Sequence, residues 1–592
     1  MKKEIHIKIN GAEITASEGM TIMEAARANN ITIPSLCYLK DVNQIGACRI
    51  CIVEIKGIRG LQSSCTYPVE KNMEIFTNSE KVRKVRRGVL ELILSNHPQD
   101  CLKCSRNQNC ELQKLSIELG VKDIRFPGAI SYDQYKEDRM FKTVAIERNP
   151  EKCILCKRCI AACSDIQEVG ILAAINRGFD TIVTTAFDHQ LENINCTLCG
   201  QCINVCPVEA IQEKSEIDKV FNAINNQELH VVVQTAPTVR ATLGEIFGLP
   251  IGSNVKGKMV AALKLLGFDK VFDTDFSADL TIIEEGYEFI DRLKNNKNLP
   301  LITSCSPGWI KYCEHHFPEF IDHLSSCKSP QQMFGALSKT YYPEICGIDP
   351  KKIFSVSVMP CTAKKYEADR KEINAGDARD VDAVLTIREL GRMIKEAGID
   401  FNALEDQDFD LPMGQSTGAG VIFGTTGGVM EAALRTVSEV ITGKPLDTIE
   451  FMNVRGISEG LKESTVTIGD KTIRVAVAHG LKNARIVLEK IKAGESYHFV
   501  EIMACPGGCI GGGGTPIIDA QTKSRLKESH LVTRARAIYD EDCNSPLRQS
   551  HKNPSIQRLY DEFLGEPNGK LAHTLLHTTY KARKKYPDFE GS

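Results

Sequence analysis

The chain carries one pattern twice: CILCKRCIAAC and CTLCGQCINVCP each contain C-x2-C-x2-C-x3-C, with their first cysteines, Cys153 and Cys196, 43 residues apart. A thiol at every third position converges three sulfurs on one point while backbone N–H groups face inward. That suits a shared metal centre and not disulfides across a core. The 23 cysteines are about 4% of the 592 residues, below the roughly 8–10% of disulfide scaffolds. Iron–sulfur ligation is the reading that the spacing supports, and any fold must bring these loops together.

By the logic of bacterial two-cluster ferredoxins, Cys153, Cys156 and Cys159 hold one cube while Cys163 crosses to the other, and Cys196, Cys199 and Cys202 hold the second while Cys206 returns. Pro207 follows Cys206 as in that run, whereas Ser164 follows Cys163; paired zinc knuckles are the alternative. Upstream, Cys37, Cys48, Cys51 and Cys65 form C-x10-C-x2-C-x13-C. Its first gap is wider than the plant-type spacing, so a [2Fe–2S] cluster is expected with a four-cysteine zinc ribbon as its rival. His97, Cys101, Cys104 and Cys110 form H-x3-C-x2-C-x5-C, in which an imidazole stands for the missing fourth thiolate of a third [4Fe–4S] set. A neutral ligand makes that cluster less negative and raises its potential, as suits an entry or branching point for electrons.

Around these ligands, KEIHIKINGAEITAS alternates about an Asn-Gly turn and predicts a hairpin, followed by a helix in TIMEAARANN. NSEKVRKVRRGVLELILSNH predicts a helix capped near Asn78 and Ser79 that delivers His97. Over roughly 225–520, apolar runs such as HVVVQ, FSVSVMP and VAVAHG alternate with helical patterns, an α/β signature, and a charged helical tail follows Asp519. The formal charge of -3 offers no basic field for nucleic acid. With no signal-like apolar core and no apolar run of about 18 residues, a cytoplasmic chain without a membrane span is expected.

Three strand-end segments carry the remaining unusual chemistry: TSCSPGW around Cys305, MPCTAKKYE around Cys361, and EIMACPGGCIGGGG around Cys505 and Cys509. The glycines at Gly507, Gly508 and Gly511 to Gly514 remove side chains where the backbone approaches something closely, and no Lys-Ser/Thr follows to make a P-loop. These segments, in order, resemble the three active-site signatures of the [FeFe]-hydrogenases, and the N-terminal sets resemble that family's larger multi-cluster members. The resemblance covers nearly the whole chain. It implies an α/β multidomain fold: a β-grasp [2Fe–2S] domain at 1–78, a His/Cys3 domain at 79–118, a two-cube ferredoxin-like domain at 140–216, an H-cluster domain at 225–520 and a helical small-subunit-like segment at 525–585. It also implies an H-cluster, a [4Fe–4S] cube joined to a two-iron unit with CO, CN⁻ and azadithiolate.

Carried over, Cys361, Cys505 and Cys509 ligate the cube, Cys509 bridges to the two-iron unit, Lys364 hydrogen-bonds a cyanide, and Met359 and Met503 pack that unit. The family's first segment has adjacent cysteines, one ligating and one relaying protons; here Ser306 follows Cys305. Since losing a cube thiolate threatens the whole cofactor while a hydroxyl can pass a proton, the expectation is that Cys305 ligates and Ser306 relays, the reverse register staying open. Glu285, Glu288 and Arg292 fall on one helical face, which alone reads as a solvated charge stripe. The resemblance makes them, with Ser325, a proton relay. It further implies reversible proton reduction to H2, in a catalytic subunit of an NAD(P)-linked or electron-bifurcating complex whose flavin-bearing and ferredoxin-like subunits, or ferredoxin, exchange its electrons. A hydrogen sensor and a cluster-assembly relative are the rival functions.

Overall fold

In the computed structural model, which describes residues 3–128, 143–373 and 379–586, Asn10 and Gly11 take φ of 52° and 86°. That left-handed pair matches a two-residue turn to the twist of its strands, and β1 (Glu4–Ile9) pairs antiparallel with β2 (Ala12–Ser17). Helix α1 (Ile22–Ala28) begins at a capping box between Thr21 and Glu24. β3 (Ile52–Ile55), β4 (Leu61–Ser63) and β5 (Glu74–Phe76) complete a sheet of order β2-β1-β5-β3-β4, with β1 and β5 parallel. This is the expected β-grasp sheet. Ile5, Ile7 and Ile9 of β1 alternate inward and form a core with Met23 and Val53, against which Cys51 and Cys65 pack.

Helix α2 (Glu80–Leu94) is capped by Ser79, and its buried Arg86 donates to the carbonyls of Ile50 and Ile52, each at 2.8 Å. The helix is thereby fixed to the first cluster loop and ends three residues before His97. In the next domain, β6 (Ile146–Arg148), β7 (Ala173–Ile175), β8 (Ile182–Thr184) and β9 (Ile211–Glu213) form two antiparallel pairs, β6 with β9 and β7 with β8. Residues 140–142 of the expected third domain lie outside the described residues.

Arg158 joins the three N-terminal domains. It is 1% exposed, makes a bidentate pair with Glu111 at 2.9 and 3.0 Å, and donates to the carbonyls of Tyr38 at 3.3 Å and Val205 at 3.5 Å. Those partners adjoin Cys110, Cys37 and Cys206, so one planar guanidinium registers loops from three ligand sets. Asn43 adds a second tie, donating its amide to the carbonyls of Cys37 and Cys156 at 2.8 and 3.0 Å.

The strands that follow are β10 (His230–Thr235), β11 (Lys270–Asp273), β12 (Leu301–Ile302), β13 (Ile353–Met359), β14 (Ala383–Thr386), β15 (Leu461–Ile468), β16 (Lys471–His479) and β17 (Phe499–Met503). They make two sheets, β11-β10-β13-β14, all parallel, and β12-β17-β16-β15, in which only β15 runs antiparallel. Helix α3 (Thr274–Asn295) packs Ala278, Ile282 and Phe289 against Val429, Ala433 and Val437 of α4 (Gly428–Thr442). The tail is part of this core: α5 (His530–Asn544) inserts Ala535 and Ile538 and is held by buried pairs of Arg534 with Glu245 and of Arg435 with Asp542. Among the described residues no helix is long and apolar enough to cross a membrane.

Replacing Arg158 by methionine leaves the Glu111 carboxylate without its cation, and loss of one partner of a buried pair costs about 3 kcal/mol. We expect Arg158→Met to move the loss of cluster absorbance to lower denaturant; an unchanged midpoint would show that the guanidinium is not the tie.

Candidate active site

The carboxyl ends of β12, β13 and β17, drawn from both sheets, converge on a cavity of about 80 Å³. The loop after each strand supplies its signature: Cys305 and Ser306 after β12, Cys361 and Lys364 after β13, Cys505 and Cys509 after β17, with Met359 and Met503 at the strand ends. Lys364 is 8% exposed, and both methionines are buried. Glu367, one helical turn on from Lys364, accepts its ammonium at 2.8 Å and also accepts from Ser329 and Gln331. Sequence reasoning missed Glu367, although the i, i+3 spacing in AKKYE offered the signal. It also missed Pro237, Gln331 and Phe423, which line the cavity from outside the three segments.

Trp309 does not wall the cavity. It is fully buried in the core beside Ile302 and Tyr312, and its indole N–H donates to the Thr303 carbonyl at 3.1 Å, stapling the loop to the strand that feeds it. Cys313 and Cys327 are buried thiols, while Cys346 and Cys543 are exposed.

The sulfurs gather as the spacings require. Cys159 lies within the electrostatic reach of Cys153, Cys156 and Cys206, and Cys202 within that of Cys163, Cys196 and Cys199, a grouping that fits the crossed arrangement expected of two cubes. Cys37 interacts with Cys48, and Cys51 with Cys65. Burial pushes the thiols of Cys196 and Cys509 up to about 11 and those of Cys163 and Cys361 up to about 12. Uncompensated thiolates are thus disfavoured here, and the donor sets fit iron, whose positive charge offsets that cost. In the third set, His97 is held neutral by burial and its Nδ1 is buried with no partner. A buried imidazole nitrogen with no partner, four residues before Cys101, has the chemistry of a metal donor.

Cys305 and Ser306 have different neighbours. The Cys305 thiol, pushed up by burial, interacts electrostatically with Glu285, Lys364 and Cys509. The Cys505 thiol instead neighbours Cys361, Cys199 and Cys509, and the Ser306 hydroxyl accepts from the Ala504 amide beside it at 3.2 Å. Ser306 has extended backbone, φ -101° and ψ 99°, so adjacent side chains diverge: the Cys305 thiol lies within the electrostatic reach of Glu285, while the Ser306 hydroxyl lies against the Ala504 amide.

From Cys305 a line of polar groups runs outward. Glu285 is 2% exposed, and burial raises its carboxyl to about 8, partly relieved by the Ser325 hydroxyl. Ser325 donates to Glu288 at 3.2 Å, and Arg292 donates to the other Glu288 oxygen at 2.6 Å and to the carbonyls of His323 and Leu324. The stripe therefore does not face solvent along its length; its inner half is buried.

The glycine run is a seam. A Cβ on Gly513 would meet the Cys199 carbonyl at 2.3 Å, and one on Gly200 would meet Thr362 Oγ1 at 2.5 Å. Gln201 donates to the Gly511 carbonyl at 2.9 Å and Asn204 to that of Gly512 at 3.0 Å, bringing the ferredoxin-like loop onto the cavity wall near Cys505.

Residues 229–513 match the family described as "Iron only hydrogenase large subunit, C-terminal domain" and 528–583 the "Iron hydrogenase small subunit". Upstream, residues 2–80 match a "2Fe-2S iron-sulfur cluster binding domain", 86–125 the "NADH-ubiquinone oxidoreductase-G iron-sulfur binding region", and 143–212 the "NADH-quinone oxidoreductase subunit 3, ferredoxin-like domain". The "NADP-reducing hydrogenase subunit HndD" of Solidesulfovibrio fructosivorans is 48% identical, over 98% of this chain and 99% of that protein. "Iron hydrogenase 1" of Clostridium pasteurianum is 43% identical, over 97% of this chain and 99% of its own length. A solved structure of a variant of the [FeFe]-hydrogenase HydA1 from Chlamydomonas reinhardtii, 42% identical, covers 63% of this chain and 100% of that one with a TM-score of 0.55. With its [2Fe–2S], [4Fe–4S] and H-cluster domains present together, the chain belongs to the [FeFe]-hydrogenase family, and its reaction is the reversible reduction of protons to H2.

Proposed function

We propose that the chain is the catalytic subunit of a nicotinamide-linked, multisubunit hydrogenase in the cytoplasm, a reading that rests on full-length similarity to a protein named as an NADP-reducing hydrogenase subunit. Flavin-bearing and ferredoxin-like subunits, or ferredoxin, exchange electrons with the N-terminal sets, and the five segments at 1–78, 79–118, 140–216, 225–520 and 525–585 divide ligation from catalysis. When bound, the H-cluster supplies the redox chemistry on H2.

This chain's residues do the rest. The position of Cys305 between the cavity and Glu285 carries the assignment: Cys305, Glu285, Ser325, Glu288 and Arg292 pass protons, while Ser306, Cys361, Cys505 and Cys509 hold the cube. Ser306, not Cys305, supplies the fourth ligand atom, an oxygen in place of sulfur. Lys364, steadied by Glu367, donates to a charged diatomic ligand whose desolvation would otherwise be costly. Met359 and Met503 give the two-iron unit an apolar, water-excluding wall.

Cys305→Ala is expected to keep the cube's iron and EPR signal and to lose turnover, and Ser306→Ala to lose about four irons per chain in protein made without the two-iron unit. The opposite pattern would return the ligand to Cys305. Ser306→Cys is expected to retain the cube with altered g-values.

Glu285, with a carboxyl at about 8, is protonated at neutral pH and ready to give a proton inward. Its raised value means that the folded state binds this proton more tightly than the unfolded chain, so its contribution to stability is present below the ordinary carboxylate range and lost as pH rises through about 8. H2 evolution is expected to fall above that pH, and Glu285→Gln to lower turnover about 100-fold or more. A variant with full turnover across the pH range would sink the route.

His97→Cys adds negative charge to the third set and is expected to lower that cluster's midpoint by on the order of 100 mV in an EPR-monitored titration. An unchanged midpoint would argue against ligation by His97.

A further inference from the structure

At the outer end of the polar line, Glu288, Cys327 and His577 converge, one ligand-capable atom from each lying within 4.8 Å of the others. None of the iron-binding sets argued above uses Cys327 or His577. The approach is built into the backbone. Cys327 and His577 form an antiparallel bridge, flanked by Lys328 N–H to the Leu576 carbonyl at 2.7 Å and Thr578 N–H to the Ser326 carbonyl at 2.8 Å. These clips fix the tail against residues 326–328 and hold thiol and imidazole side by side.

The protonation pattern suits a metal. His577 Nε2 sits 3.0 Å from Glu284 Oε2, and Glu284 is fully buried, so the carboxylate takes the N–H and leaves a lone pair on Nδ1. Such carboxylate–imidazole pairing orients histidine ligands in metal sites. Nδ1 now receives the Ser326 hydroxyl at 2.8 Å, and that hydroxyl lies 3.2 Å from Glu288 Oε2. Cys327 Sγ is 3.8 Å from the same Glu288 oxygen, whose partner oxygen keeps Arg292. A large open cavity of about 920 Å³, lined by Glu288, Ser326, His573 and His577, gives entry and room for a water ligand.

We propose that Glu288, Cys327 and His577 bind a zinc-class divalent cation that takes the place of the Ser326 hydroxyl between them. A sulfur, an imidazole nitrogen and a carboxylate oxygen with one open position is a donor set for Zn²⁺ rather than for Mg²⁺ or Ca²⁺. On binding, the Cys327 S–H bond breaks, a Zn–S bond forms and the proton leaves to water in the cavity. Occupancy converts Glu288 from a proton acceptor into a metal ligand, so the cation reversibly closes the outer end of the proton route. This consequence rests on the relay reading of Glu288; the site itself does not.

Zn²⁺ added to the loaded enzyme is expected to bind with one sulfur at about 2.3 Å and nitrogen or oxygen ligands by zinc X-ray absorption. Cys327→Ser and His577→Gln are each expected to weaken binding, read by equilibrium dialysis, at least about tenfold. A zinc spectrum without sulfur, or affinity unchanged in both variants, overturns the site. Zn²⁺ bound with these dependencies should lower H2 turnover, and chelation should restore it. Full turnover with zinc bound at the site overturns the relay role of Glu288 and the closure drawn from it while the site stands; no zinc binding in an enzyme that Glu285→Gln still cripples overturns the site and leaves the relay.

Discussion

One buried guanidinium sets the geometry on which the electron path depends. Arg158 lies between Cys156 and Cys159 and reaches the loops of two other ligand sets through Glu111 and Tyr38. A buried cation is costly unless paired, and here the contacts to Glu111 and Tyr38 that pair it are also contacts between domains. The same side chain adds positive charge near buried sulfurs: it is among the groups that draw the Cys156 thiol down against the effect of burial. Stability and electrostatics thus meet in one residue.

The catalytic cavity follows a different logic. Three loops from the carboxyl ends of parallel strands in two sheets meet there, so the site is assembled by the closure of the sheets on each other and not by any one loop. Glu367 and Glu501 show how the surroundings are held. Glu367 gathers Lys364, Ser329 and Gln331; Glu501 accepts from the amides of Gly427 and Met430 at the start of α4. Each carboxylate orients groups around the cavity, as a preorganised site requires.

Much of this was legible in the chain itself. Asn10-Gly11, the Thr21 and Ser79 caps and the runs of β10, β13 and β16 are local signals, and local physics decides them. The two C-x2-C-x2-C-x3-C runs were legible because each is a turn or two whose geometry allows few outcomes. The register of Cys305 and Ser306 was not, because in extended backbone neighbours face opposite ways and composition does not reveal the phase. Nor was the burial of Glu285 and the inner half of the stripe, which depends on α4 and the loop at Ser325. The long pairs of Arg534 with Glu245 and Arg435 with Asp542 join residues far apart in sequence, and no periodicity reports them.

The glycine seam has a consequence for how such an enzyme can change. Where Gly513 meets Cys199 and Gly200 meets Thr362, backbone touches its neighbour with no room for a methyl group. The gap an electron must cross between the ferredoxin-like loop and the cavity wall is therefore set by the thickness of two peptide chains, a dimension that point substitution can break but cannot tune. Variation in reactivity among chains built this way has to come from elsewhere, from the side chains that line the cavity and from the charges around them, while the spacing stays constant.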